Sequence, residues 1–202
     1  MAFLDVRTFD LGPAPEAIVA RLSFTGEAGY EIYVPMQYQR QLFETLARIS
    51  IEHGGKLAGG RALMDLRLEK SFPAWGLELT HDYGPVETGL GRFVDWQKSD
   101  FIGREAAQAA RDAVPSEVLT TLVVGAIDAD CTGGEPVLCD GAYAGYVSSG
   151  GFGHFVGESL ALAYIRPEVN GSPLEVMLAG QSRPARISPK PRFDPDGERM
   201  RA

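Results

Sequence analysis

The chain has 202 residues, 45% of them hydrophobic, which is ample for a packed core, exceeds the usual single domain and excludes a disordered or fibrous protein. Nineteen basic against twenty-seven acidic residues leave a net charge of −8, which opposes attraction to phosphate backbones and anionic membrane surfaces. Nucleic acid and membrane are therefore not expected partners. No stretch approaches the roughly 20 apolar residues of a membrane span, and "MAFLDVRTFD" has neither a basic n-region nor a cleavage site, so the expected location is the cytoplasm.

In chain order, the first β signal is a hairpin pairing residues 22–24 with 30–34 across "TGEAG". Residues 37–53 then place Tyr38, Leu42, Phe43, Leu46 and Ile49 near helical spacing, and Gly54-Gly55 is a natural stop. A second short helix, "GRALMDLRLEK", is expected to turn Leu63 and Leu66 inward. An irregular stretch with Trp75, Gly76, Tyr83, Gly84 and Pro85 follows, then a third helix over residues 104–113 that Pro115 closes. From Leu119 onward the texture changes to short β-runs separated by Gly, Asp and Pro: "LTTLVVGA", "EPVLCDGAYAGYVSSGG", "SLALAYI", "LEVMLAG" and "SRPARISPK". Five or six such strands predict a small antiparallel barrel or sandwich. The boundary is expected near Pro115, dividing the chain into 1–115 and 116–202.

Few residues carry a recognisable chemistry. Cys131 and Cys139 lack the C-x-x-C spacing of zinc or redox sites and read as reduced thiols, and His53, His81 and His154 form no ligand array, so no metal site is expected. Asn170-Gly171 reads as a hairpin turn rather than a glycosylation acceptor. There is no nucleophile elbow and no phosphate-binding loop, and "GLGRF" lacks the third glycine of a dinucleotide fingerprint. The glycine-rich "SSGGFGHFVG" reads as a plain inter-strand loop, with phosphate wrapping as the lesser reading. What remains is a set of acids and aromatics. Tyr30, Glu31, Trp75 and Glu87 can offer flat apolar faces and acceptors for the N–H groups of a ring; equally, the aromatics are core and the acids solvated.

The blocks "RLSFTGEAGYEIYVP", "GRALMDLRLEKSFPAWGLELT", "GPVETGLGRFVDW" and "DFIGREAA", in this order and spacing, resemble the second half of the folate-dependent aminomethyltransferases. That family includes the T-protein of the glycine cleavage system and the folate-binding regions of dimethylglycine and sarcosine dehydrogenases. The closing "RFDPDGERMR" is similar to the terminal block of the dehydrogenase branch. The resemblance covers nearly the whole chain and implies an α+β fold: a partial ferredoxin-like layer in 1–115, then a small antiparallel β-barrel in 116–202. It implies tetrahydrofolate as cofactor and transfer of a one-carbon unit to it from a glycine-derived or N-methyl amine.

Residue by residue, Glu31 of "GYEI" matches the family's pterin-binding glutamate, which implies a buried carboxylate accepting two hydrogen bonds from the pterin edge. Tyr30 points to the opposite strand face and supports it. Trp75 matches a family aromatic. A substrate-contacting arginine of the T-protein branch is replaced by Leu63, with Arg61 off register, which favours the dehydrogenase-like branch. The family's catalytic aspartate lies in an N-terminal half with no counterpart here, so no catalytic residue is assigned. No flavin-binding motif is present either.

Three functions stay open. The first is an aminomethyltransferase region that acts with a missing segment, such as an N-terminal half or flavoprotein, either as a separately encoded chain or as a fragment of a longer dehydrogenase. The second is a non-catalytic assembly subunit of a multi-subunit sarcosine- or dimethylglycine-type amine oxidase, and the third a folate-binding regulatory or demethylase relative. Homo-oligomerisation is a further expectation, because the first layer lacks part of its fold; an exposed apolar patch should mark where the missing half docks. Arg67, Glu69 and Glu87 read as a structural ion-pair cluster rather than ligand contacts.

Overall fold

The computed structural model describes residues 1–202. The fold is α+β: a three-stranded antiparallel sheet with helices, and a closed six-stranded antiparallel barrel. Two compact units form, Met1–Arg67 together with Asp194–Ala202, and Leu68–Phe193. No helix is long and apolar enough to cross a membrane.

In the first unit, β1 (Val6–Leu11), β2 (Ala14–Ala20) and β3 (Glu31–Tyr33) pair in that order. The expected hairpin arm at 22–24 is corrected: β3 pairs with β2, and residues 21–30 form an irregular loop. The cause is Arg21, only 3% exposed, whose guanidinium donates to the Gly29 carbonyl at 3.2 Å and to the Ala202 carbonyl at 2.7 Å. A loop wrapped around a buried cation cannot also supply a strand ladder. The true arm was masked because Pro15 and three alanines weaken its β signal.

Helix α1 (Met36–Glu52) buries Leu42 against Ala14 and Ala17, with Leu11, Val34 and Tyr38 at the margin. Its other apolar residues, Phe43, Leu46 and Ile49, are exposed. Helix α2 (Gly60–Glu69) also departs from expectation. Leu63 and Leu66 are exposed, whereas Arg67, Leu68 and Glu69 are buried. Burial follows the last turn of this helix rather than a stripe along it, so helical periodicity pointed to the wrong side chains.

In the second unit, α3 (Arg104–Asp112) starts after the left-handed Gly103 and stops before Pro115. The barrel strands are β4 (Val118–Val124), β5 (Pro136–Cys139), β6 (Ala142–Gly153), β7 (Glu158–Ile165), β8 (Leu174–Leu178) and β9 (Gln181–Ser188). They close in the order β4-β7-β6-β5-β8-β9. Leu122, Val124, Val137, Val147, Ile165 and Val176 fill the interior. Two turn readings are corrected here. Ser148–Gly153 of the glycine-rich stretch lie inside β6, paired along β7, not in a loop. Asn170-Gly171 is a turn, but it connects β7 to β8, which do not pair, so it is no hairpin. A short helix α4 (Glu198–Arg201) ends the chain's first unit.

Candidate functional site

Strand β3 is a sheet edge only three residues long, and alternation puts Glu31 and Tyr33 on one face. Register aligns Tyr33 with Ile18 and Thr8, and Glu31 with Ala20 and Val6. Glu31, Tyr33, Ile18 and Val6 are all exposed. This corrects the expectation of a buried carboxylate: nothing in this unit covers that face of its edge strand. The Tyr33 hydroxyl donates to a Glu31 carboxylate oxygen. That bond, and secondarily the carboxylate's charge, hold the Tyr33 phenol above its ordinary range. Tyr33 was not singled out from the sequence, although its position two residues after Glu31 is the signal that would have found it.

Tyr30 precedes the strand and is 57% exposed, with Arg21 lying 5.2 Å from its ring centroid. Arg21 thus braces both the loop and the ring. Two glycines make the loop possible. Gly26 adopts φ +84° while its N–H donates to Ser23 Oγ, and any side chain at Gly29 would start 2.7 Å from the Leu22 carbonyl oxygen. The strip therefore offers one carboxylate acceptor between apolar and aromatic side chains, which suits the paired N–H donors and flat face of a heterocycle.

Trp75 belongs to the second unit and is 83% exposed. It sits at the tip of a tight turn: the N–H groups of Leu77, Glu78 and Leu79 all donate to the Ala74 carbonyl, and Gly76 N–H donates to Leu79. The anchor is Glu78, fully buried, whose carboxylate accepts from Ala74 N–H at 2.8 Å, from Ser148 Oγ at 2.9 Å and from Ser149 Oγ. Tyr164 donates to the Glu78 carbonyl at 2.7 Å, and its ring stacks on Tyr83 with centroids 3.5 Å apart. Burial, more than its bonds to Tyr146 and Glu117, pushes the Tyr83 phenol well above its ordinary value. Glu78 escaped sequence reading because an acid between two leucines looks solvated. Glu69 accepts from Phe155 N–H at 2.8 Å, and Glu87 from Gly84 N–H at 3.1 Å.

Two family models match, the GCVT N-terminal domain over residues 1–98 and the glycine cleavage T-protein C-terminal barrel domain over residues 118–194. Mitochondrial dimethylglycine dehydrogenase of Mus musculus is 35% identical over 192 residues, 94% of this chain and 22% of that protein. An aminomethyltransferase of Desulfitobacterium hafniense is 33% identical over 175 residues, 85% of this chain and 47% of its own length. The crystal structure of glycine cleavage system aminomethyltransferase T from Bartonella henselae superposes with a TM-score of 0.84 at 24% identity, covering 96% of this chain and 54% of that one. The chain therefore spans less than half the length of these curated relatives and about half of the solved structure. With the two family models covering both the sheet-bearing region and the barrel, the chain belongs to the glycine cleavage T-protein, or aminomethyltransferase, family.

Proposed function

We propose that this chain is the pterin-holding part of a tetrahydrofolate-dependent aminomethyltransferase, which moves a one-carbon unit from a glycine-derived or N-methyl amine to the folate. The observation that carries this reading is the Glu31 carboxylate, held on an edge strand beside Tyr33 and Ile18 with the Tyr30 ring braced next to it. Glu31 accepts hydrogen bonds from the amino-pyrimidinone edge, and Tyr30 lends an aromatic surface. Trp75, on its anchored turn in the second unit, offers an exposed aromatic face of its own. The cofactor supplies the acceptor nitrogen for the one-carbon unit; this chain's own residues bind and orient it. The reactive aspartate and the rest of the pocket come from polypeptide outside this chain, either an N-terminal half or a flavoprotein partner. The exposed Phe43, Leu46 and Ile49 of α1 supply apolar surface for that association. The domain division at 115/116 belongs to the same reading, since residues 99–117 lie between the two matched family regions.

The test is calorimetric titration with 5-formyltetrahydrofolate. Replacing Glu31 by Ala or Gln is expected to weaken binding by about 2 kcal/mol, the loss of hydrogen bonds to a charged acceptor. Equal affinity in wild type and variant sinks the pterin assignment. A second reading, a non-catalytic assembly subunit of a multi-subunit sarcosine- or dimethylglycine-type amine oxidase, draws on the same exposed α1 side chains. No folate binding by an otherwise folded chain favours this second reading.

A further inference from the structure

The second unit contains a cavity of about 530 Å³, well within the range of small-molecule sites. It lies against the start of β4, the end of β7 and the segment after β9, and is bordered by residues 70–73, residues 88–90 and Arg92. Its charge is one-sided. Lys70, Arg92, Arg166 and Lys190 line it and no carboxylate does, in a chain whose net charge is −8. Four of the nineteen basic residues thus converge on one concavity, where low-dielectric walls focus their field.

The cations are arranged by depth. Lys70 is only 3% exposed, whereas Arg92, Arg166 and Lys190 are exposed. Two of the guanidinium groups are braced by aromatic faces, Arg92 at 4.7 Å from the Phe93 centroid and Arg166 at 5.7 Å from that of Tyr143. Such bracing limits the rotamer freedom lost when an anion is bound. Next to Lys70, Ser71 takes φ +58° in the left-handed turn that ends α2, its N–H donating to the Leu68 carbonyl at 2.9 Å, and this turn sets Lys70 at the cavity wall. The remaining walls mix the apolar side chains of Phe72, Leu90, Val118, Ile165 and Ile187 with the hydroxyl and amide groups of Thr88, Thr120, Thr121, Asn170 and Ser188. A bare inorganic ion would leave those walls unused.

We propose that this cavity is a binding site for a small organic polyanion, a molecule with an apolar body and at least two negative charges borne as carboxylate or phosphate. It is separate from the Glu31 strip, every lining residue belonging to the second unit. Binding here neither requires nor tests folate recognition.

The experiment titrates the full chain, at low ionic strength, with two dianions of similar flat body: 1-naphthyl phosphate and naphthalene-2,6-dicarboxylate. Saturable binding of either is expected, weakened at least tenfold in the Arg166→Ala/Lys190→Ala double variant and several-fold in Arg92→Ala. All three side chains are exposed, so these variants retain the fold. The control is Arg40→Ala/Arg48→Ala on α1, which removes the same charge far along the sequence and is expected to bind as wild type, as is Glu31→Ala. A preference for the phosphate identifies a phosphate ester as the natural ligand class, and a preference for the dicarboxylate a polycarboxylate. Absence of saturation with both probes overturns the proposal. So does an equal loss in the α1 control, which would reduce the effect to net charge, or an unchanged affinity in the cavity variants.

Discussion

At the scale of single residues, burial and partners decide which groups can respond to their surroundings. Cys131 is fully buried in the barrel core, and desolvation, reinforced by Glu135 and Asp130, pushes its thiol up to about 12. Cys139 is only partly buried. Thiol-labelling of the native chain at neutral pH is accordingly expected to modify Cys139 and to spare Cys131 until the barrel unfolds; equal labelling rates would contradict the buried geometry. The same shift has a sign. Because the folded state holds the Cys131 proton more tightly than the unfolded chain, whose thiol titrates near 9.0, its contribution to stability is complete below pH 9 and is lost as pH rises toward 12. Tyr83 and Tyr164, also raised by burial, act in the same direction above pH 10. A denaturation midpoint that stays flat or rises across pH 9–11 would oppose this account. The residue scale is also where the sequence was least informative about the site. Glu31 was legible because a carboxylate interrupting "GYEIYVP" is conspicuous, but its exposure was not, since burial depends on what covers an edge strand.

At the scale of elements, local pattern worked where burial follows periodicity and failed where a buried polar group reorganises the backbone. The extents of α1 and α3 and the strand-rich texture after Leu119 follow from apolar spacing and from Gly and Pro punctuation. The arm at 22–24 failed because Arg21 gathers residues 21–30 around itself, and the inward side of α2 failed because its buried residues are consecutive. The Trp75 turn belongs with these. Its conformation rests on Glu78, and Glu78→Ala would remove the acceptor for Ala74 N–H and for two serine hydroxyls at once. Leaving such buried groups unsatisfied is expected to cost about 3 kcal/mol, read as a lower urea midpoint, and to increase the mobility of Trp75. A variant as stable as wild type would show that water replaces the carboxylate without penalty.

At the scale of the whole molecule, the two units differ in how completely they bury themselves. The barrel pairs every strand on both sides and fills its interior, whereas the small core of the first unit centres on Ala14, Ala17 and Leu42. Between the third helix and the barrel, residues 113 and 114 are exposed, Val114 at 87%. Limited proteolysis is expected to nick the chain there first. The nicked second unit should stay associated under native conditions, because Tyr83 donates to Glu117 and stacks on Tyr164, and Leu119 N–H donates to the Glu87 carbonyl. Immediate separation of the fragments would oppose that, and a first cut elsewhere would oppose a boundary at 115/116.

The closed ring also brings together strands that are remote in the chain. β4 and β9, the first and last strands of the barrel, are direct neighbours, with Thr121 opposite Ser188. The polypeptide therefore enters and leaves the barrel side by side, and the ends of the whole second unit, Leu68–Phe193, meet as well, Phe193 N–H donating to the Glu69 carbonyl at 2.9 Å. A module whose two ends meet behaves as a bead threaded on the chain. It can be carried within a longer polypeptide, or rejoined at new termini, while the segments flanking it stay as close as they were.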